Sequence, residues 1–204
     1  MGYEHHFEYD IPDFVREAEE AMARGETFGT EATEVPIKFG KGLVGEPFTS
    51  KNGKELVESF TLDHTKVKAP FIRKCTVYQG DMGDTVTKYD IRFTQPNEAE
   101  LESAGIHTLE HLMATYMRNY MDGIIDLSPM GCRTGFYLTV WGSPDTDHIK
   151  SVVIKSLGDV INSDEVPAVN PIQCGNYRLH SLELAKSYAQ AVLDSGFNDD
   201  FIIR

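Results

Sequence analysis

Residues 87–94, with the sequence TKYDIRFT, alternate between two kinds of side chain. The apolar positions are Tyr89, Ile91 and Phe93. The charged positions between them are Lys88, Asp90 and Arg92. Because successive side chains of a strand point to opposite faces, this alternation predicts a half-buried β-strand with its apolar face on the core.

Further along the chain the pattern becomes helical. Residues 106–121 carry apolar side chains at intervals of three or four positions: Leu109, Leu112, Met113, Tyr116 and Met117. Strands are predicted at 124–127 and 135–141, and Cys75 is interpreted as a strand residue. Two later helices are indicated by apolar spacing, the second behind a capping Ser181: Ile149, Val152, Val153, Leu157 and Val160, then Ala185, Tyr188, Ala189 and Val192. Without a strict βαβ rhythm, these elements predict an α+β fold with an antiparallel sheet packed against helices.

Length and composition limit the class of protein. A chain of 204 residues, 41% of them apolar, can form one substantial core, so we expect a single main domain. The formal charge of -13 opposes phosphate contacts, so no nucleic-acid partner is expected. No apolar run approaches the roughly 20 residues that span a bilayer, and the start MGYEHHFEYD is acidic. The three widely spaced cysteines suit a reducing compartment, so we expect a cytoplasmic protein with no membrane partner.

The amino-terminal part differs in character from the rest. Residues 1–54 are interpreted as an amino-terminal extension of open role, and residues 55–204 as the main domain. Within the extension, Asp10 could cap a short helix that ends at Gly25. The stretch that follows is rich in Gly, Thr, Glu and Pro and has little periodicity.

The motif His107-Thr-Leu-Glu-His111 carries the strongest local signal for chemistry. Histidines four positions apart on a helix project from one face, so both imidazoles can reach a single cation. Glu110 would place a carboxylate beside that cation, where it could move protons. The alternative is a chance pattern on a polar helix face, which is common for motifs this short.

A catalytic metal site needs a third protein ligand and an open position. Cys174 is a candidate, because the neighbouring Gly175 would not hinder the approach of a thiolate to the ion. The alternative interpretation of Cys174 is an isolated cysteine that is buried for structural reasons. Four of the histidines outside the motif are interpreted as surface or capping residues: His5, His6, His148 and His180.

Cys132 lies in a turn-rich segment between two predicted strands. Gly131 and Gly135 would allow close backbone approach there, and Arg133 adds positive charge beside the thiol. Cys132 is therefore a candidate acid, base or nucleophile, with simple burial as the alternative.

Taken together, five segments of this chain resemble the S-ribosylhomocysteine lyase (LuxS) family. In the order of the family they are Ser59–His64, Tyr89–Phe93, Gly105–His111, Ile125–Tyr137 and Gln173–Gly175. The combination is specific, whereas an isolated HxxEH motif would not support it. Residues 1–54 have no counterpart in the family pattern, and the connection 119–124 is shorter than usual.

The resemblance implies a homodimer with one divalent metal per subunit near the interface, most often Fe(II), with Zn(II) or Co(II) as substitutes. Each implied role belongs to a position of this sequence. The implied metal ligands are His107, His111 and Cys174. The implied acid/base pair is Cys132 and Glu110. The implied substrate-binding residues are Arg92 and Asp126, with Ser59 and His64 reaching the pocket from the other subunit. Arg92 could also be an ordinary surface charge on its polar strand face.

The implied reaction cleaves the thioether of S-ribosylhomocysteine by carbonyl migration and β-elimination. It yields homocysteine and 4,5-dihydroxy-2,3-pentanedione, the precursor of the autoinducer-2 signal of quorum sensing, and it also serves the methyl cycle. Two other functions compete with this one. HxxEH also marks zinc hydrolases, in which the Glu activates a metal-bound water and a carboxylate usually completes the site. The second competing hypothesis is a non-catalytic metal-binding or signalling protein of the same fold.

Overall fold

The protein is described by a computed structural model that covers residue 59 and residues 62–202. The helix predicted from Asp10 to Gly25 and the boundary predicted at residue 54 lie outside these described residues. Within the described part, no helix is both long enough and apolar enough to cross a membrane.

Four antiparallel strands form the sheet that was predicted. They are β1 (Phe71–Gln79), β2 (Thr85–Arg92), β3 (Ile124–Pro129) and β4 (Gly135–Trp141), in the order β1-β2-β4-β3. Strand β4 has the predicted bounds, and Cys75 lies in β1 as expected. Strand β2 ends two residues earlier than predicted, because the backbone N–H groups of Phe93 and Thr94 both donate to the carbonyl of Thr134.

The described residues contain three helices, the first between β2 and β3 and the other two after β4. They are α1 (Ser103–Tyr116), which continues into a short 3-10 turn, α2 (Thr146–Asn162) and α3 (Leu182–Ser195). Helix α1 begins three residues before the predicted start. The N–H of Glu102 donates to the hydroxyl of Tyr188, a contact from α3 that apolar periodicity could not indicate. The prediction that Ser181 caps α3 is confirmed, since its side chain accepts from the N–H of Leu184.

The helices cover one face of the sheet and enclose the core there. Tyr89 and Ile91 of β2 are fully buried against them, as the alternation predicted. The apolar stripes of the helices are buried as well: Leu109, Leu112 and Met113 in α1, Ile149, Val152, Val153 and Leu157 in α2, and Ala185, Ala189 and Val192 in α3. This arrangement confirms the α+β fold.

The other face of β2 differs from the prediction. Asp90 and Arg92, expected on a solvated polar face, are 0% and 1% exposed. Arg92 pairs with Asp90 at 2.7 Å, and Arg73 of β1 lies 3.4 Å from the same carboxylate. Because buried charges are tolerated only when they are paired, this network explains why the strand can be buried on both sides. The interpretation of Arg92 as an ordinary surface charge is therefore excluded.

Gly135 determines how the β3–β4 hairpin meets β2. A Cβ added at this position would lie 2.1 Å from the carbonyl oxygen of Ile91, which no side chain tolerates. The close approach predicted for Gly135 is confirmed. The same prediction for Gly131 is wrong, because a Cβ there would meet nothing within 4 Å.

Candidate functional site

Helix α1 carries the histidines of the HTLEH motif on one face, and two loop residues join them. Cys174, from the segment between α2 and α3, places its sulfur 3.5 Å from Nε2 of His107. One donor atom from each of His107, His111, Cys174 and His180 lies within 4.8 Å of the others. We call these four residues the imidazole–thiol cluster. The structure thus brings together the three predicted ligands and adds a fourth residue.

The interpretation of His180 as a surface or capping residue is wrong. Its Nε2 lies 3.6 Å from the Cys174 sulfur, and its ring stacks on that of His107 with centroids 4.0 Å apart. Burial, and secondly the positive charges that His107 and His111 can carry, lowers the pKa of His180 to about 4. His180 is therefore neutral near neutral pH, with a lone pair available on its ring.

Backbone carbonyls orient the two motif histidines. Nδ1 of His107 lies 2.8 Å from the carbonyl oxygen of Leu179, and Nδ1 of His111 lies 2.8 Å from that of Pro167. A carbonyl only accepts, so each Nδ1 carries a proton, and in the neutral ring the lone pair is on Nε2. Metal-binding histidines are usually held by this kind of outer contact.

The donor atoms of the cluster fit a transition-metal ion. Bonds of about 2.0–2.1 Å to nitrogen and about 2.3 Å to sulfur separate tetrahedral N and S ligands by about 3.6 Å. The two sulfur-to-nitrogen distances of 3.5 and 3.6 Å agree with this spacing. Imidazole and thiolate ligands suit Fe(II), Zn(II) or Co(II) and disfavour Mg(II) or Ca(II). Cys174 is 7% exposed, so water does not compete freely for its sulfur.

Cys132 belongs to a second group of residues at the end of β2. Its sulfur lies 3.0 Å from the hydroxyl of Thr134 and 4.0 Å from Nη1 of Arg92. Arg92 donates to Thr134 at 2.7 Å and to both carboxylate oxygens of Asp90. We call these four residues the guanidinium–thiol cluster. Unlike Cys174, which is buried, Cys132 is an exposed residue.

The other predicted site residues are more scattered. Glu110 is half-buried on α1 between the two motif histidines. Asp126 is exposed on β3 and accepts a hydrogen bond from Ser128. Ser59 hydrogen-bonds to Tyr137, whose register partner on β2 is Asp90, so it lies over the face that carries the guanidinium–thiol cluster.

His64 is half-buried before β1. Among the residues that the structure describes, no hydrogen bond or ion pair links it to either cluster, and none links the two clusters to each other. The contribution of His64 and Ser59 to a partner's pocket stays a prediction.

Sequence reasoning missed three residues that the structure places at these clusters: His180, Asp90 and Thr134. A signal existed for His180, which lies six positions after Cys174 and directly before the capping Ser181. For Asp90 the only signal was its position two residues before Arg92 on the same strand face.

Comparison with known proteins identifies the family. Residues 57–201 match the family model described as S-Ribosylhomocysteinase (LuxS). An S-ribosylhomocysteine lyase of Clostridioides difficile (strain 630) is 58% identical over 144 residues, which cover 71% of this chain and 95% of that protein. Proteins of the same name from Clostridium perfringens (strain SM101 / Type A) and Ligilactobacillus salivarius (strain UCC118) are 53% and 49% identical, covering 72% and 71% of this chain and 97% and 94% of their own lengths. The chain belongs to the S-ribosylhomocysteinase (LuxS) family, and it is an enzyme of that family.

Proposed function

We propose that this protein is a metal-dependent S-ribosylhomocysteine lyase. It would cleave the carbon–sulfur bond of its substrate by carbonyl migration and β-elimination, giving homocysteine and 4,5-dihydroxy-2,3-pentanedione, the autoinducer-2 precursor. The observation that carries the proposal is the convergence of Cys174 with His107 and His111 in a chain that matches this family over residues 57–201.

In this proposal His107, His111 and Cys174 hold one divalent ion per subunit, with Fe(II) as the first choice and Zn(II) or Co(II) as substitutes. When bound, the ion would act as a Lewis acid toward the oxygens of the opened sugar. The orientation of His107 and His111 by backbone carbonyls supports this role, because it keeps both Nε2 lone pairs on the side of the thiol.

Cys132 and Glu110 are the proposed acid/base pair. A group that exchanges protons with a substrate must be within the substrate's reach, and Cys132 is an exposed residue. The guanidinium of Arg92 lies 4.0 Å from the Cys132 sulfur and can donate a hydrogen bond to it. Glu110 adjoins the ligand His111 in sequence, so its carboxylate would serve atoms close to the ion.

Arg92 and Asp126 are proposed to bind the substrate, together with Ser59 and His64. Arg92 uses four of its five N–H donors on Asp90, Thr134 and Cys132, which leaves one for a substrate oxygen. Its pairing with Asp90 holds the guanidinium rigidly, which lowers the entropy lost when a ligand binds.

A cytoplasmic homodimer is also part of the proposal, with Ser59 and His64 serving the partner's pocket. Large apolar side chains on the described surface support a second copy: Tyr78 is 60%, Trp141 56% and Ile172 94% exposed. Sedimentation equilibrium of the full chain measures this directly, and a monomer at micromolar concentration would contradict it.

The decisive experiment is a thiol-release assay on S-ribosylhomocysteine with anaerobically Fe(II)-loaded protein. We expect homocysteine and the dione in equal amounts, with no release after chelation of the metal. A parallel assay with a peptide library tests the zinc-hydrolase alternative. Peptide cleavage without homocysteine release would overturn the lyase function.

A further inference from the structure

Thr108, the second residue of the HTLEH motif, joins α1 to the loop between α2 and α3. The residue is 0% exposed. Its hydroxyl accepts a hydrogen bond from the backbone N–H of Ser181 at 2.9 Å, and Nδ1 of His180 lies 3.2 Å from the same oxygen. The hydroxyl also donates to the carbonyl of Ala104, one turn earlier on α1, at 2.7 Å. A single buried hydroxyl therefore connects the helix with the end of the loop that carries Cys174.

A second contact joins the same two segments one residue earlier in each. Nδ1 of His107 lies 2.8 Å from the carbonyl oxygen of Leu179. Residues 179–181 of the loop thus contact residues 107 and 108 of α1 at three consecutive positions. Because Cys174 lies in the same loop, with its sulfur 3.5 Å from Nε2 of His107, these contacts hold the thiol beside the motif histidines.

We propose that Thr108 is a positioning residue of the metal centre, which fixes the loop that carries Cys174 against the helix that carries His107 and His111. This inference rests on the proposed metal-dependent function, in which these three side chains hold the ion. Thr108 itself contacts neither the ion nor the substrate, and it acts by keeping the thiol at the right separation from the imidazoles. Ligands that are already held in place lose less conformational entropy when an ion binds, so such an outer contact raises metal affinity.

Two substitutions at this position separate the hydroxyl from the shape of the side chain. Thr108→Val keeps the shape and removes the hydroxyl, so the N–H of Ser181 loses its acceptor. A donor without a partner inside a protein is unfavourable, so the loop would move away from α1 until water reaches that N–H. Thr108→Ser keeps the hydroxyl and loses only a methyl group, so the contacts with the loop are retained.

The Zn(II) affinity of the full chain, measured by chelator competition, tests the proposal. For Thr108→Val we expect an affinity lower by about 10-fold, whereas Thr108→Ser should stay within about twofold of the unmodified protein. Thr115→Val is the matched control. The exposed Thr115 also lies on α1, and its hydroxyl donates one turn back, to the carbonyl of His111 at 2.8 Å. Among the described residues it makes no hydrogen bond to the loop, so this variant should keep the affinity of the unmodified protein.

Hydrogen exchange at the amide of Ser181 in the unmodified protein adds a measurement that does not depend on the folding of a variant. We expect this amide to exchange at least roughly 10-fold more slowly than in an unstructured peptide. An unprotected Ser181 amide, or an unchanged Zn(II) affinity in Thr108→Val, would overturn the positioning role. An equal loss of affinity in Thr115→Val would also overturn it, because the bond within the helix would then explain the effect. Failure of the proposed function looks different: the affinities would rank as expected, but the metal-loaded unmodified protein would release no homocysteine.

Discussion

The two thiol clusters differ in the groups that surround the sulfur. Around the Cys174 sulfur the nearest polar atoms are ring nitrogens, and the residue is 7% exposed. Around the Cys132 sulfur they are a hydroxyl and a guanidinium, and the residue is exposed. A thiol among ring nitrogens can bind a cation together with them, whereas an exposed thiol can contact a substrate. The two cysteines are therefore suited to different tasks, Cys174 to metal binding and Cys132 to contact with a substrate.

The clusters also differ in what keeps them in place. Backbone carbonyls of Leu179 and Pro167 orient the motif histidines, so that cluster depends on the course of the loops around α1. The guanidinium–thiol cluster depends instead on the buried pair of Arg92 and Asp90 and on the close contact at Gly135. Variants of one cluster should therefore leave the other intact.

The largest effect is expected from Cys174→Ala. Loss of the proposed sulfur ligand should lower metal affinity by more than the roughly 100-fold that loss of an outer contact costs, and homocysteine release should fall to background. Metal content after gel filtration, together with the thiol-release assay, measures both. Cys75→Ala, on β1, is the control and should keep the metal. A Cys174→Ala protein with full metal content would refute the assignment of Cys174 as a ligand.

The variant Cys132→Ala should show most clearly that the two clusters have different effects on metal content and turnover. We expect full metal content, with turnover of S-ribosylhomocysteine lower by about 10²- to 10⁴-fold, the range for loss of a general acid or base. Metal analysis and homocysteine release on one preparation check it. Unchanged turnover would favour a role for Cys132 outside the chemistry.

Gly135→Ala should destabilise the fold by about 3 kcal/mol or more, because its Cβ would overlap the Ile91 carbonyl. Gly131→Ala, in the same hairpin and with open space around the new methyl group, should change stability by about 0.5 kcal/mol or less. Urea unfolding of the two variants gives the comparison. Equal urea midpoints for the two variants would mean that the β3–β4 hairpin can move away from β2.

The smallest effects are expected from the two threonines that support the clusters. Thr108→Val removes the hydroxyl that lies 3.2 Å from Nδ1 of His180, whose ring stacks on that of His107, and should weaken metal binding by about 10-fold. Thr134→Val removes the acceptor for Arg92 and should lower turnover while leaving metal affinity unchanged. Chelator competition and the thiol-release assay distinguish these outcomes. If both variants lost metal equally, the two clusters would not be independent.

The sequence predicted the local features well, and it was wrong where long-range contacts act. The strand β4, the cap at Ser181 and the apolar stripes of the helices follow from periodicity and capping, which depend on neighbouring residues. The early start of α1 depends on Tyr188, a residue of another helix, and the burial of Arg92 depends on Asp90 and on the cover over that face.

By itself the sequence determined that His107 and His111 share one helix face, because helix geometry places residues four apart on the same side. Only the tertiary structure decided that Cys174 and His180 meet them. Cys174 lies 67 residues from His107 along the chain, and closing that distance depends on how α2, α3 and their loops pack on the sheet. No local pattern contains this information, since contacts between distant residues are set by the burial of the whole core.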